Sequence, residues 1–145
     1  MPIKTFRGKI ATGEQDTIVL HTNDGMIGYR IKNFQAINGS PGTQTCELVV
    51  KVFTIPQTAV TGTMDFTDQT LIGTLYYRGA GSDVSSSVII VDNNTFNQDI
   101  YVTAIDNSGN AQASNYQLDL EQVKLDLNEN TVATLKDIRN VTAPT

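Results

Sequence analysis

The sequence contains no tryptophan, one histidine and one cysteine. A catalytic pair that relies on imidazole would have to use His21, and nothing near it in the sequence supports such a pair. The familiar zinc sites need several His or Cys ligands, so a chain with one of each cannot form them. Cys46 cannot form an internal disulfide, and we expect it to be a small buried side chain. These absences predict a protein that is not an enzyme and that uses no cofactor or metal.

Charged residues are also scarce, at 17% of the chain, and acidic residues outnumber basic ones by 15 to 10. The resulting net charge of -5 works against binding to nucleic acid, because that affinity comes mainly from Lys and Arg. No apolar run approaches the roughly 20 residues that cross a bilayer, and the first residues lack the apolar run of a signal peptide. We therefore expect no nucleic-acid partner, no membrane partner and no export.

Threonine, asparagine, glutamine and serine supply most of the polarity, with 19, 12, 9 and 7 residues. Threonine favours pleated strands, whereas Asn and Ser favour turns. Apolar and polar residues alternate in about eight short runs separated by turn residues, which is typical of a sandwich or a barrel. We predict an all-β fold, an eight-stranded antiparallel β-sandwich that is jelly-roll-like and comprises residues 1–127. A barrel with the same number of strands would leave the same pattern.

The same pattern predicts several local features. The Asn-Asp-Gly sequence at 23–25 predicts a tight hairpin turn. Changes in the phase of alternation predict one β-bulge near Asn33 and a second at residue 121 or 122. The continuous apolar run at 88–91 predicts a buried strand, since strands covered on both faces have this composition.

The pattern changes after residue 127. Val132, Leu135 and Ile138 recur at a spacing of three, which predicts a short helix. An extended arm laid on a neighbouring subunit accounts for them equally well, because so short a helix is marginal without packing. Residues 128–145 are expected to be a helix or an arm of the same single domain. Their candidate contact residues are Val132, Leu135, Ile138 and Arg139.

Two groups of carboxylates are further candidates for chemistry. Asp65 and Asp68 could act as an acid and a base, but this role also requires a shaped cleft and a carboxyl with a raised pKa. The Asp- and Asn-rich segments at 92–99 and 106–110 offer oxygen ligands without the spacing of a calcium-binding loop. The sequence shows neither requirement for the first group, and turn formation is the favoured interpretation of the second.

Three segments carry a likeness to a known class of protein: DQTL at 68–71, TFNQDIY at 95–101 and LKDIR at 135–139. With the residues between them, they resemble small virion structural proteins of tailed phages that infect marine bacteria. The resemblance implies a capsid decoration or cement protein whose partner is the major capsid protein. It also implies a location on the capsid surface of the virion, after synthesis in the cytoplasm of the bacterial host.

For a cement protein we expect a symmetric homo-oligomer, with a trimer favoured. Its subunits would exchange the segment 128–145. Lys4, Arg7 and Lys9, which precede the first acidic residue, would approach an acidic shell. Solvated strand positions are the other explanation of these three basic residues.

A carbohydrate- or receptor-binding module of a tail or host-contact structure is the alternative function. Sugar-binding faces commonly use aromatic platforms, which in the absence of tryptophan would have to be tyrosines. Tyr76 and Tyr77 are adjacent, so on a strand they face opposite sides, and we expect one of them in the core.

Overall fold

The computed structural model describes residues 2–20, 26–41, 44–79 and 86–125. Eight strands, and no helix, are found among these residues. The strands are β1 (Ile3–Ile10), β2 (Glu14–Ile18), β3 (Ile27–Asn38), β4 (Cys46–Phe53), β5 (Leu71–Gly79), β6 (Ser86–Val91), β7 (Ile100–Asp106) and β8 (Ser114–Lys124). No helix with the length and hydropathy needed to cross a membrane occurs in this part of the chain.

The strands form two sheets in which every pairing is antiparallel. One sheet has the order β1-β8-β3, and the other has the order β2-β7-β4-β5-β6. Alternating side chains of both sheets meet in one core, in which Leu48, Val50, Leu75, Val102 and Leu118 have no exposed surface. The predicted β-sandwich is therefore confirmed. Each sheet ends in edge strands, whereas a barrel would have closed them.

The pairing is that of a jelly roll with one departure. A jelly roll folds an eight-stranded hairpin so that strand one pairs with eight, two with seven, three with six and four with five. Three of these four pairings are present here, β1 with β8, β2 with β7 and β4 with β5. The fourth is not, because β6 pairs with β5 at the end of the larger sheet. In the described part of the chain the smaller sheet therefore has three strands instead of four.

The centre of the larger sheet is covered on both faces, as its apolar sequence predicts. All residues of β4 except Glu47 are buried. The inner face packs in the core, and on the outer face Lys51 is only 5% exposed. Its ammonium donates a hydrogen bond of 2.7 Å to the carbonyl oxygen of Thr63. The connection formed by residues 54–70 therefore contacts the outer face of this sheet.

The hairpin expected at residues 23–25 is wrong. β2 pairs with β7 and β3 pairs with β8, so the connection between β2 and β3 passes from one sheet to the other. The turn residues themselves lie outside the described residues. A turn signal read from sequence specifies a reversal of the chain, but it does not specify that the flanking strands share a sheet.

One of the two predicted bulges is confirmed. The register between β3 and β8 shifts between Ile31 and Asn33. The bulge expected at residues 121–122 is wrong, because the same register runs without a shift from Leu120 to the end of β8. The core-facing position after Leu120 is occupied by Gln122, whose amide donates a hydrogen bond of 3.5 Å to the hydroxyl of Tyr29. A polar residue at a core-facing position thus interrupted the alternation of apolar and polar residues in the same way as a bulge would.

Candidate interaction surface

β6 is an edge strand with an uninterrupted apolar run. Among the described strands it pairs only with β5, so one side of its backbone has no ladder partner. The side chains of Val88, Ile89, Ile90 and Val91, here called the edge patch, are 57%, 42%, 49% and 39% exposed. Natural sheets usually protect such an edge with charges, proline or a covering segment, and the sequence SSVIIV has no charge and no proline.

The expected burial of residues 88–91 is therefore wrong, although the strand itself is present. The apolar run correctly indicated a strand, but burial depends on neighbours that the run does not encode. β6 lies at the end of its sheet, and among the described residues no fourth strand of the smaller sheet covers it.

The edge patch has an inner and an outer half. Ile89 pairs with Leu75, which is fully buried, so Ile89 and Val91 face the side of the sheet that carries the core. Val88 and Ile90 face the opposite side, because successive side chains of a strand alternate. Ile89 and Val91 thus point toward the interior of a sandwich and are nevertheless exposed.

A groove of about 860 Å³, here called the side groove, opens between the end of β3 and the start of β6. Apolar and aromatic side chains of both sheets line it, and amides and one basic group surround them. The lining includes Ala36, Ile37, Leu75, Tyr77, Ile89 and Tyr116, with Arg7, Gln35, Asn115 and Gln117. The groove extends across the smaller sheet to β8 and β1 from the side where a fourth strand of that sheet would lie.

The wall of the groove on the side of β1 and β8 is fixed by Tyr116. Its hydroxyl donates a hydrogen bond of 3.2 Å to the carboxylate of Asp16 on the other sheet. Burial and the negative charge of Asp16 both raise the pKa of Tyr116, so the hydroxyl stays a donor. Gly8 leaves room for the ring, since a Cβ at that position would lie 2.7 Å from a carbon of Tyr116.

The outer half of the edge patch borders a second, smaller cleft. This cleft, of about 340 Å³, is lined by Phe66, Ile90 and Thr74 among other residues. The Phe66 side chain is 64% exposed. Phe66 and Ile90 line this cleft together, and Val88 shares their side of the sheet by strand alternation. These three exposed apolar residues, here called the outer patch, lie on the opposite side of the larger sheet from the side groove.

The three predicted basic contact residues do not form one cluster. Arg7 and Lys9 are two residues apart and lie on one face of β1, whereas Lys4 lies on the other. The ammonium of Lys4 is 5.9 Å from the ring centroid of Tyr29. All three side chains are exposed. Only Arg7 lines the side groove.

The carboxylates proposed as an acid and a base are used in turns. Asp65 accepts hydrogen bonds from the N–H and the hydroxyl of Thr67, at 3.0 and 2.6 Å. Asp68 does the same with Thr70, at 2.9 and 2.6 Å. The bonds from Thr67 lower the pKa of Asp65, which is the opposite of what a general acid requires. Both carboxylates therefore hold local turns.

The oxygen-rich segments are also held by local hydrogen bonds. Asp106 accepts bonds of 2.9 Å from the N–H groups of Glu47, Ser108 and Gln112. Asp92 accepts one of 2.6 Å from the side chain of Asn94. In the part of the chain that the structure describes, no three His, Cys, Asp or Glu side chains come together as metal ligands.

The remaining candidates divide between the core and undescribed segments. Cys46 is fully buried, as expected, and burial raises the pKa of its thiol. Tyr77 belongs to the core, whereas Tyr76 is half-buried on the other face of β5. His21 and the contact residues Val132, Leu135, Ile138 and Arg139 lie outside the described residues.

Sequence reasoning missed the side groove and the outer patch, because both arise from the order of strands in space. The exposed apolar run of β6 was visible in the sequence, but its signal was interpreted as burial. No family model matches the chain, and no curated protein is significantly similar to it.

Proposed function

We propose that this protein is a virion structural protein of a tailed phage, a decoration or cement protein that binds the outer surface of the capsid. The observation that carries the proposal is the outer patch, Phe66, Val88 and Ile90, on an uncharged edge strand. An exposed apolar surface of this kind is typical of a site that attaches to another protein. The partner in this proposal is the major capsid protein.

The resemblance described above adds the identity of the particle. Two of its three segments have structural roles in the fold. In segment 68–71, Asp68 fixes the turn that leads into β5. In segment 95–101, Phe96 exchanges two backbone hydrogen bonds with Tyr29, of 2.7 and 2.9 Å, and so joins the connection between β6 and β7 to the smaller sheet. Segment 135–139 lies outside the described residues.

The proposal includes self-association and a contact between basic residues and an acidic shell. The exposed side chains of Arg7 and Lys9 share a face of β1 and suit such a contact, whereas Lys4 faces the other way. The face of the smaller sheet also carries a paired charge, since Arg30 donates a hydrogen bond of 2.9 Å to Glu121. Contacts of this type tune specificity and the association rate more than affinity, so we assign the affinity to the apolar outer patch.

A pelleting experiment tests the proposal. The purified protein is mixed with empty shells assembled from the major capsid protein of the same genome, and the fraction that sediments with the shells is measured. We expect the wild type to bind and Ile90→Lys to bind about tenfold more weakly or worse, because a buried Ile contributes about 1.5–3 kcal/mol. Val19→Lys is the matched control, since Val19 is 65% exposed beside β2 at the opposite edge of the same sheet.

The outcomes test capsid binding and the role of the outer patch separately. A wild type that stays in the supernatant contradicts the capsid-binding proposal. Wild-type binding that Ile90→Lys leaves unchanged contradicts the assignment of the outer patch as the contact.

The second candidate function is a carbohydrate-binding module of a tail or host-contact structure. The side groove supports it, because its volume lies in the range of small-molecule sites and its rim carries amides of Gln and Asn. Tyr77, however, is only 9% exposed, which leaves little ring surface for a sugar to stack on. Glycan-array binding that Gln117→Ala abolishes would favour this candidate over the capsid.

A further inference from the structure

The smaller sheet has an open strand position beside β3. The first half of the outer edge of β3 is occupied, because Tyr29 exchanges its backbone hydrogen bonds with Phe96. The second half, residues 34–38, has no partner strand among the described residues. Gly39 donates to the carbonyl of Ala113 on the β8 side, so by alternation the backbone groups of Ala36 and Asn38 face away from β8. They point toward the open position.

The inner half of the edge patch lies opposite this position, on the larger sheet. Ile89 and Val91 face the core side, and Ile89 lines the side groove together with Ala36 and Ile37 of β3. A strand hydrogen-bonded to residues 34–38 would extend the smaller sheet over β6. It would cover the inner half of the edge patch and fill the groove.

We infer that β6 of a second copy of this chain fills the position. Every pairing among the eight described strands joins an odd-numbered to an even-numbered strand in antiparallel orientation, and β6 with β3 continues that rule. A two-fold axis parallel to the strands places β6 of each copy beside β3 of the other. The smaller sheet of one copy then continues into the larger sheet of its partner, and the two β6 strands lie over one another with Ile89 and Val91 between them.

The two edges are suited to each other by charge. β6 and residues 34–38 carry no charged side chain. The edge strands on the other side of the sandwich differ, since β1 carries three basic residues and β2 carries Glu14 and Asp16. Self-pairing of either would place like charges opposite each other, which destabilises a strand pair. Arg7 on β1 also lines the side groove, but neither of the two edges that would pair carries a charge, so this is the side of the sandwich that can meet its own copy.

The symmetry favours a second copy over a single foreign strand. β3 and β6 belong to different sheets on the same side of the sandwich, about 10 Å apart as packed sheets are. One foreign strand would pair with one of the two edges. A two-fold contact pairs both edges in both copies and closes the assembly, as an isologous interface does. The inference does not depend on binding to a capsid.

Light scattering behind a sizing column tests the inference with the full chain at micromolar concentrations. The wild type is expected to be a dimer, with twice the chain mass of 15.8 kDa. Ile89→Lys is expected to be a monomer, because a lysine would place a charge between the two β6 strands. Ile90→Lys is the control on the same strand, since its side chain faces the outer patch, and it should remain a dimer. Leu135→Lys, in the undescribed segment 128–145, should also remain a dimer.

Hydrogen exchange provides a second measurement that is independent of the variants. The amides of Ala36, Asn38 and β6 are expected to exchange more slowly as the wild-type concentration rises, whereas those of β1 and β2 should not change. Ala36→Pro removes an N–H that faces the open position and leaves the bonds to β8 intact, so it should give a folded monomer.

Three results would overturn the inference. They are a monomer at every concentration, a trimer of the kind expected for a cement protein, and a dimer that Leu135→Lys disrupts while Ile89→Lys does not. Dimerisation together with failure to pellet with capsid shells would reject the proposed function alone. Capsid binding by a monomeric wild type would reject the dimer alone.

Discussion

Asp106 connects three parts of the backbone that are distant in the sequence. Its two carboxylate oxygens accept hydrogen bonds from the start of β4 and from two positions in the connection between β7 and β8. The side chain is buried, with 7% of the residue exposed. Burial raises the pKa of this carboxyl, but the hydrogen bonds outweigh burial and hold the pKa below its ordinary value of 3.8.

We predict that Asp106→Asn lowers the free energy of unfolding at neutral pH by about 2–3 kcal/mol. The amide keeps one acceptor oxygen and turns a donor toward backbone N–H groups, which leaves at least one of them unsatisfied in a buried site. Denaturant unfolding followed by circular dichroism measures the difference. Asp92→Asn, at an exposed turn, is the control and should change stability much less.

The pH dependence of that difference follows from the direction of the pKa shift. A carboxyl whose pKa is depressed in the folded state stabilises the fold above its unfolded pKa, and this contribution is lost as the pH falls through the folded pKa. The gap between the wild type and Asp106→Asn should therefore persist at pH 5 to 7 and shrink below about pH 3.8. A gap that is constant down to pH 2 would show that the carboxylate charge is not responsible.

At the scale of elements, the connection 54–70 depends on a cation that lies on the outer face of β4. Lys51 donates to Thr63 and also approaches the hydroxyl of Thr61, at 3.5 Å. Burial lowers the pKa of Lys51, and Asp68 opposes this change in part. The hydrogen bonds are therefore offset by the cost of burying the charge, as with buried ion pairs.

Lys51→Met should separate these two effects. It keeps the apolar stem and removes the charged donor, so we expect global stability to change by less than about 1 kcal/mol. Hydrogen exchange in residues 57–67 should accelerate by about tenfold, because one charged hydrogen bond of roughly 1.5 kcal/mol no longer holds the connection. Lys124→Met, at an exposed position of β8, is the control and should not accelerate hydrogen exchange in residues 57–67. Exchange that is unchanged in Lys51→Met would mean that other contacts hold the connection.

The existence of the elements was predictable, whereas their neighbours were not. Alternation of apolar residues marked the strands, because one face of each strand packs in a common core. The bulge near Asn33 was predictable, since an extra residue shifts every later side chain to the other face. Gln122 misled the prediction for β8 because it is a polar residue on the inner face that finds a partner in Tyr29. The run at 88–91 led to a wrong prediction of burial, because a covered strand and an exposed edge strand can have the same apolar composition.

At the scale of the whole molecule, the side groove is a consequence of strand order. Five strands face three, so the inner face of β6 extends beyond the smaller sheet. No single segment of sequence encodes this mismatch, because it depends on β6 pairing with β5 instead of β3. The candidate contacts that the sequence did suggest, Lys4, Arg7 and Lys9, lie on β1 at the opposite edge of the smaller sheet, and of these three only Arg7 reaches the side groove.

If the two-fold assembly forms, it must also change the thermal stability of the chain. A partner that binds only the folded state stabilises it by mass action, so the midpoint of thermal unfolding should rise with protein concentration. For a chain of this size we expect a rise of about 2 °C for each tenfold increase in concentration. Ile89→Lys should show a midpoint that is independent of concentration.

Salt distinguishes this assembly from one made through the basic residues of β1. Edges without charge lose little affinity when salt is added, whereas contacts through exposed Lys and Arg weaken as their charges are screened. Scanning calorimetry at low and high salt should therefore give the same concentration dependence for the wild type. A concentration dependence that disappears in high salt would assign self-association to Lys4, Arg7 and Lys9, and it would leave the neutral edges of β3 and β6 free for a different partner.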